Sequence, residues 1–196
     1  MRPIQYAVYR GNFEIYKFIL DRNDHDLEQQ FQCQMSQTGS SLLHLNAFRG
    51  NVLILKDLLA QNLNPFAQNK QGDSCVHVAI RRNHLEFLYE IISWCVANNV
   101  TAEKADVENI AENMTPFMTA VLREKFEIAN LLEKKNLAKR GYVNKDGRTV
   151  RQIAEDANRV RVLAFLDNKE IPSRPTINRN GSMQNISQNI NGLKQV

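Results

Sequence analysis

Ser41-Leu-Leu-His-Leu-Asn-Ala-Phe-Arg-Gly50 and Ser74-Cys-Val-His-Val-Ala-Ile-Arg-Arg-Asn83 read almost alike and start 33 residues apart. Similar stretches recur as Arg2-Pro-Ile-Gln-Tyr-Ala-Val-Tyr-Arg-Gly11 and Thr115-Pro-Phe-Met-Thr-Ala-Val-Leu-Arg-Glu124. A degenerate fifth, Thr149-Val-Arg-Gln-Ile-Ala-Glu-Asp-Ala-Asn158, begins 34 residues after the fourth. Self-similarity near this period is the mark of a repeat protein, in which units stack and each touches only its neighbours.

Each copy reads as a helix, a tight turn and a second helix. Thr115-Pro116 places an N-cap before a proline at the first helical position, where a missing N–H costs nothing. Small residues at Ala7, Ala79, Ala120 and Ala154 let two helices approach closely. The second helix carries an apolar stripe at helical spacing. It comprises Ile15, Phe18 and Ile19 in copy one, and Phe87, Leu88, Ile91 and Ile92 in copy three. In copy four it is Ile128, Leu131 and Leu132, and in copy five Val162, Phe165 and Leu166. No single copy buries such a stripe, so stacking is required.

The repeat resembles the ankyrin repeat, whose signature is T-P-L-H-x-A followed by a Gly-led turn and a second helix. Thr115, Pro116, His44, His77, Ala79 and Ala120 match that signature, and the link from Asn62 to Ser74 resembles the family's hairpin loop. The resemblance covers roughly residues 2–168. It implies an all-α ankyrin-repeat solenoid of about five helix-turn-helix repeats with short hairpin loops. The repeats fall near 1–38, 39–71, 72–112, 113–146 and 147–168, and a tail rich in Asn, Gln and Ser occupies 169–196. It further implies that the rings of His44 and His77 hydrogen-bond the neighbouring turn.

Departures from the pattern set further expectations. Asn46 stands where Ala is expected and should disturb packing. Asn83 and Glu124 replace the turn glycine, and Glu tolerates positive φ poorly. Extra residues must bulge at Gln29–Gln37 and near Asn98–Glu112; the second bulge lengthens a helix through Trp94 and Cys95, with a further turn after Thr101. Its acidic residues Glu103, Asp106, Glu108 and Glu112 either fold over the groove and compete for its arginines or form a solvated loop. Arg151, Glu155, Asp156, Arg159 and Arg161 make copy five a polar terminal cap.

Composition excludes several classes. A net charge of +4 is too small to argue for nucleic acid, and no apolar run is long enough to span a bilayer. No signal peptide is evident, so the chain reads as cytoplasmic or nuclear. Cys33, Cys75 and Cys95 lack metal-ligand spacing and read as reduced thiols. No histidine has a nucleophile placed beside it and no glycines form a phosphate loop, so the chain reads as a non-enzyme without cofactor or metal. The basic run Lys134, Lys135, Lys139 and Arg140 reads as an exposed helix end. The abundance of Asn and Gln ignores structural position and reads as codon bias.

What remains is surface. The residue before the turn is Arg10, Arg49, Arg82 and Arg123 in four successive copies, preceded by Tyr9, Phe48, Arg81 and Leu122. In an ankyrin stack the exposed side of each first helix lines a concave groove. With helices about 8–10 Å apart, four registered guanidiniums form a ladder roughly 25–30 Å long. Arginine suits bidentate carboxylate or phosphate contacts, and arginine with aromatics is the composition of binding hot spots. The expected function is a scaffold subunit within a larger assembly, binding a protein partner through an acidic segment. Two alternatives stand beside it: a translocated bacterial effector capturing a host protein, and a regulatory module of a larger enzyme. In the tail, Met183, Ile186, Ile190 and Leu193 share one helical face and suggest a second anchor.

Overall fold

The computed structural model describes residues 2–22, 31 and 34–173, together with the backbone of 176–177 and 183–184. Among these residues the chain forms five helix pairs. They are α1 (Pro3–Arg10) with α2 (Phe13–Arg22), α3 (Leu42–Arg49) with α4 (Val52–Ala60), and α5 (Cys75–Arg82) with α6 (Leu85–Ala97). A single turn, α7 (Ala102–Ala105), intervenes before α8 (Pro116–Leu122) with α9 (Phe126–Lys134) and α10 (Val150–Asp156) with α11 (Val160–Leu166). First helices pack on first helices in the order α1, α3, α5, α8, α10. The second helices α2, α4, α6 and α9 pack likewise. Cys33 lies outside the described residues, whereas Cys75 and Cys95 are buried free thiols.

The first helices begin at five N-caps, Arg2, Ser41, Ser74, Thr115 and Thr149, all with extended backbone. Ser74, Thr115 and Thr149 accept a backbone N–H three residues on, which satisfies one of the helix's orphan donors. Ala7, Ala79, Ala120 and Ala154 are buried where the two helices of a pair meet. Asn46 is fully buried in the same place; its amide donates to the Asn51 carbonyl at 3.0 Å, while its Oδ1 has no hydrogen-bond partner. The disturbance expected there is therefore one unsatisfied acceptor.

The turns need left-handed backbone. Gly11 and Gly50 supply it, and Asn83, Glu124 and Asn158 adopt φ of 61°, 56° and 48° at the equivalent places. Gly50 is doubly constrained, since a Cβ there would stand 2.6 Å from the His84 ring. Asn62, Asn99, Asn136 and Asn168 are also left-handed, each two residues beyond the end of a second helix. Asparagine is the non-glycine residue best suited to that conformation. Six asparagines thus close helices, so asparagine does not wholly ignore structural position as expected.

The apolar stripe of α2 is rotated from expectation. Tyr16 and Leu20 are buried, while Ile15 and Phe18 are 50% and 55% exposed. Ile54, Phe87, Ile128 and Val162 occupy the place of Ile15 in later pairs and are wholly buried. No described pair stands on that side of α2. The Arg22 guanidinium lies 4.5 Å over the Phe18 ring instead.

The bulge after α6 matches its expectation. That helix runs through Cys95 to Ala97, and Thr101 begins α7. Beyond α11 the backbone forms a short antiparallel pair, Thr176–Ile177 with Met183–Gln184, in which Ile177 faces Met183. Met183 is therefore extended, which corrects the helical face expected to start there. Ile186, Ile190 and Leu193 lie outside the described residues.

Candidate functional site

His44 and His77 are structural. Backbone N–H of Ser74 donates to His77 Nδ1 at 3.1 Å, which leaves the ring proton on Nε2; that nitrogen donates to the Met114 carbonyl at 2.9 Å. His44 repeats the arrangement, from Ser41 N–H to the Asp73 carbonyl at 2.8 Å. Each ring therefore ties its own N-cap to the hairpin that leads into the next pair. Burial lowers both imidazole pKa values, to about 4 for His77, so both rings are neutral at pH 7. Gln5 and Gln152 hold the equivalent places and accept N–H from Arg2 and Thr149, each at 2.8 Å. That substitution was readable from alignment of the copies, because an amide oxygen replaces Nδ1.

The first-helix face divides into two parts. In the first three pairs, rings and guanidiniums interleave. Tyr9 and Phe48 stack with centroids 5.6 Å apart. Arg49 lies 5.2 Å over Tyr9 and donates Nε–H to the Tyr9 carbonyl at 2.6 Å. Arg82 lies 3.6 Å over Phe48, and Arg10 lies 6.0 Å over Tyr6. Arg10, Arg49 and Arg82 are exposed, and none forms an ion pair with a carboxylate among the described residues. Guanidiniums held over rings are pre-oriented, with N–H groups left for an incoming acceptor.

The remaining predicted contacts are diverted. Arg81 donates to both carboxylate oxygens of Asp73, one at 2.9 Å, and so belongs to its own hairpin. Arg123 pairs with Glu112 at 3.4 Å. Leu122 is 6% exposed and contributes to the core. The continuous four-rung ladder is accordingly corrected to three open rungs and one neutralised rung.

The insertion's carboxylates explain that change, and two of them do not form the solvated loop expected. Glu108 is buried and accepts from Tyr142 Oη at 2.8 Å and from Lys145 N–H at 3.2 Å. Asp106 accepts Lys139 N–H at 3.1 Å, and its other oxygen is buried without a partner. Burial raises the Asp106 carboxyl to about 6. Of the basic run, Arg140 makes a two-pronged pair with Glu133 at 2.8 and 2.6 Å. Arg159 and Arg161 of the terminal pair reach back to the Leu122 carbonyl and to Glu124 rather than outward.

Asn69, Asn109 and Asn144 went unrecognised in the sequence. Each uses Oδ1 to accept two backbone N–H groups of its own hairpin, at 2.9–3.2 Å. Their signal is an Asn five or six residues before a Ser or Thr N-cap.

Between α8 and α10 the same face holds a cavity of about 280 Å³, lined by Met114, Thr119, Leu122, Ile153 and Ala157 together with the charged Glu112, Arg123 and Arg159. No cluster of three or more His, Cys, Asp or Glu suited to a metal occurs among the described residues. No described helix is long and apolar enough to cross a membrane.

A stack of helix pairs with hairpin links and an open face of rings and guanidiniums defines a helical repeat solenoid of the binding type. A family profile for ankyrin repeats, three copies, matches residues 4–101, and the chain belongs to that family. No curated protein matches the chain. Ankyrin repeats generally mediate protein–protein interaction and are typically binding modules rather than catalysts.

Proposed function

We propose that this protein is a non-catalytic scaffold subunit that binds a protein partner through its first-helix face, with Arg10, Arg49 and Arg82 receiving an acidic segment. The observation that carries this reading is the Tyr9–Phe48 stack with Arg49 and Arg82 laid upon it. Exposed arginines without carboxylate partners, packed on aromatics, have the chemistry of interface hot spots. Steering by such a patch raises association rates and makes them salt-dependent.

Arg49→Glu with Arg82→Glu tests it. Affinity purification with quantitative mass spectrometry should retain a partner on the natural protein and lose it on the doubly reversed one. Thermal stability should shift little, since exposed substitutions cost under about 0.5 kcal/mol each. Identical partner sets on both proteins would overturn the reading. The tail, through Ile186, Ile190 and Leu193, supplies a second attachment, and truncation after Asn168 should weaken retention.

A further inference from the structure

We infer that the cavity between α8 and α10 is an anchor pocket for one apolar side chain of the same acidic segment, four or five residues from the carboxylates that meet Arg82. This rests on the first-helix face being the partner surface and adds to it a second site with different chemistry.

The cavity exists because two repeat positions change size. Tyr6, Leu45, Val78 and Ile153 hold the place that Thr119 takes in α8, and Arg10, Arg49, Arg82 and Arg123 hold the place that Ala157 takes after α10. A short side chain on one wall and a methyl on the other leave about 280 Å³. A volume of ~150 Å³ already accepts benzene in an apolar protein cavity. Met114, Leu122 and Ile153 form the apolar part of the lining, which the Glu112–Arg123 ion pair and Arg159 complete. Thr119 adds nothing polar to it that water can reach, since its hydroxyl is buried and has no partner.

Charge places the rest of the ligand. Arg123, in the cavity wall, is paired with Glu112, and Arg161, outside it, with Glu124. Arg159 is engaged with the Leu122 carbonyl. Arg10, Arg49 and Arg82, towards the amino end, meet no carboxylate among the described residues. An acidic run is therefore favoured over the first three pairs, and an uncharged residue over the last two. Stacked helices stand about 8–10 Å apart, so the step from α5 to a point between α8 and α10 is roughly 12–15 Å. Extended chain covers about 3.3 Å per residue, which gives four or five residues between the two features.

A phage-displayed library of random twelve-residue peptides tests this. It is selected in parallel on the natural protein, on Thr119→Leu, on Ala157→Leu and on Arg49→Glu/Arg82→Glu. Peptides from the natural protein should share an acidic run and one Leu, Met or Phe at the stated spacing. Both cavity-filling variants should retain the acidic run and lose the enrichment of the apolar residue, and individual peptides should bind them at least tenfold more weakly. Ala157 is exposed, so its variant keeps the test open if the buried Thr119 change perturbs folding. Apolar enrichment that is absent, or that survives both fillings, overturns the anchor while leaving the arginine face standing. Acidic enrichment that persists on the charge-reversed protein overturns the arginine face itself. Failure to enrich any peptide on the natural protein overturns both.

Discussion

The junction between the second and third helix pairs and the junction between the fourth and fifth solve the same problem with different chemistry. At the former, His44 passes a hydrogen bond from its own N-cap to the next hairpin, and His84 reaches the Phe48 carbonyl at 3.3 Å. At the latter, Met118 stands where the histidine would be and offers no ring nitrogen. Glu108, Asp106 and Asn144 fasten the hairpin instead, Asn144 by donating to the Asn113 carbonyl at 2.9 Å. The insertion also reaches the binding face. Its Glu112 pairs with Arg123, whereas Arg49 and Arg82 meet no carboxylate among the described residues. One inserted carboxylate therefore decides which part of an otherwise repetitive surface can attract an anion.

If the histidines carry their junctions, His77→Ala should have the largest effect. It leaves Ser74 N–H without its partner, takes one of two donors from the Met114 carbonyl and opens a cavity, together about 3 kcal/mol in urea unfolding. Gln5→Ala removes one local bond and should cost about 1 kcal/mol. Equal costs for the two would show that the link to the next hairpin is worth nothing. His77→Gln should recover part of the loss, because glutamine serves the N-cap at Gln5 and Gln152.

Next in size is Glu108→Ala, which removes a buried acceptor of two bonds and should cost about 2 kcal/mol. Hydrogen exchange should show faster opening at 142–147, with α3 and α5 unchanged.

The two kinds of junction should also respond oppositely to acid. His77 has a folded pKa of about 4, below its ordinary 6.5. Its contribution is complete above pH 6.5 and is lost as pH falls towards 4. Asp106 has a folded pKa of about 6, above its ordinary 3.8, so its contribution is complete below 3.8 and is lost as pH rises through 6. At pH 7 Asp106→Asn should therefore stabilise by about 1 kcal/mol, allowing for solvent screening of a half-buried group. In that variant the decline between pH 6.5 and 4 should steepen in denaturant titrations. An unchanged pH profile would remove Asp106 from the comparison.

Smallest is Arg82→Ala, which loses one cation–π contact at an exposed site and should cost about 0.5 kcal/mol. A loss as large as that of His77→Ala would make Arg82 part of the scaffold rather than of the face.

The five helix starts could be read from the chain because N-caps, prolines at the first helical position and the paired His or Gln act within three residues. The use of Arg81, Leu122 and Arg123 could not. Their fates depend on Asp73 and Glu112, which stand 8 and 11 residues from the arginines they bind. No local rule states where a hairpin will place its carboxylate. Similarly, the positions of Asn62, Asn99, Asn136 and Asn168 are visible in the sequence, but their role appears only once each second helix has an end.

The hairpin tips carry a mechanical consequence. Lys70 N–H donates to the Thr38 carbonyl and Ile110 N–H to that of Gln71, both at 2.9 Å, so neighbouring tips are joined through main chain. Ile110 also sits so close to Gly72 that a Cβ there would be 2.5 Å from its nitrogen. On the opposite side, the second helices are joined by side chains such as Lys17 with Asp57 and Lys56 with Glu90. Short main-chain bonds are stiff, and long ion-paired side chains yield by changing rotamer. Under tension the body should flex like a leaf spring clamped along one edge, the second helices fanning apart while the tips hold their pitch.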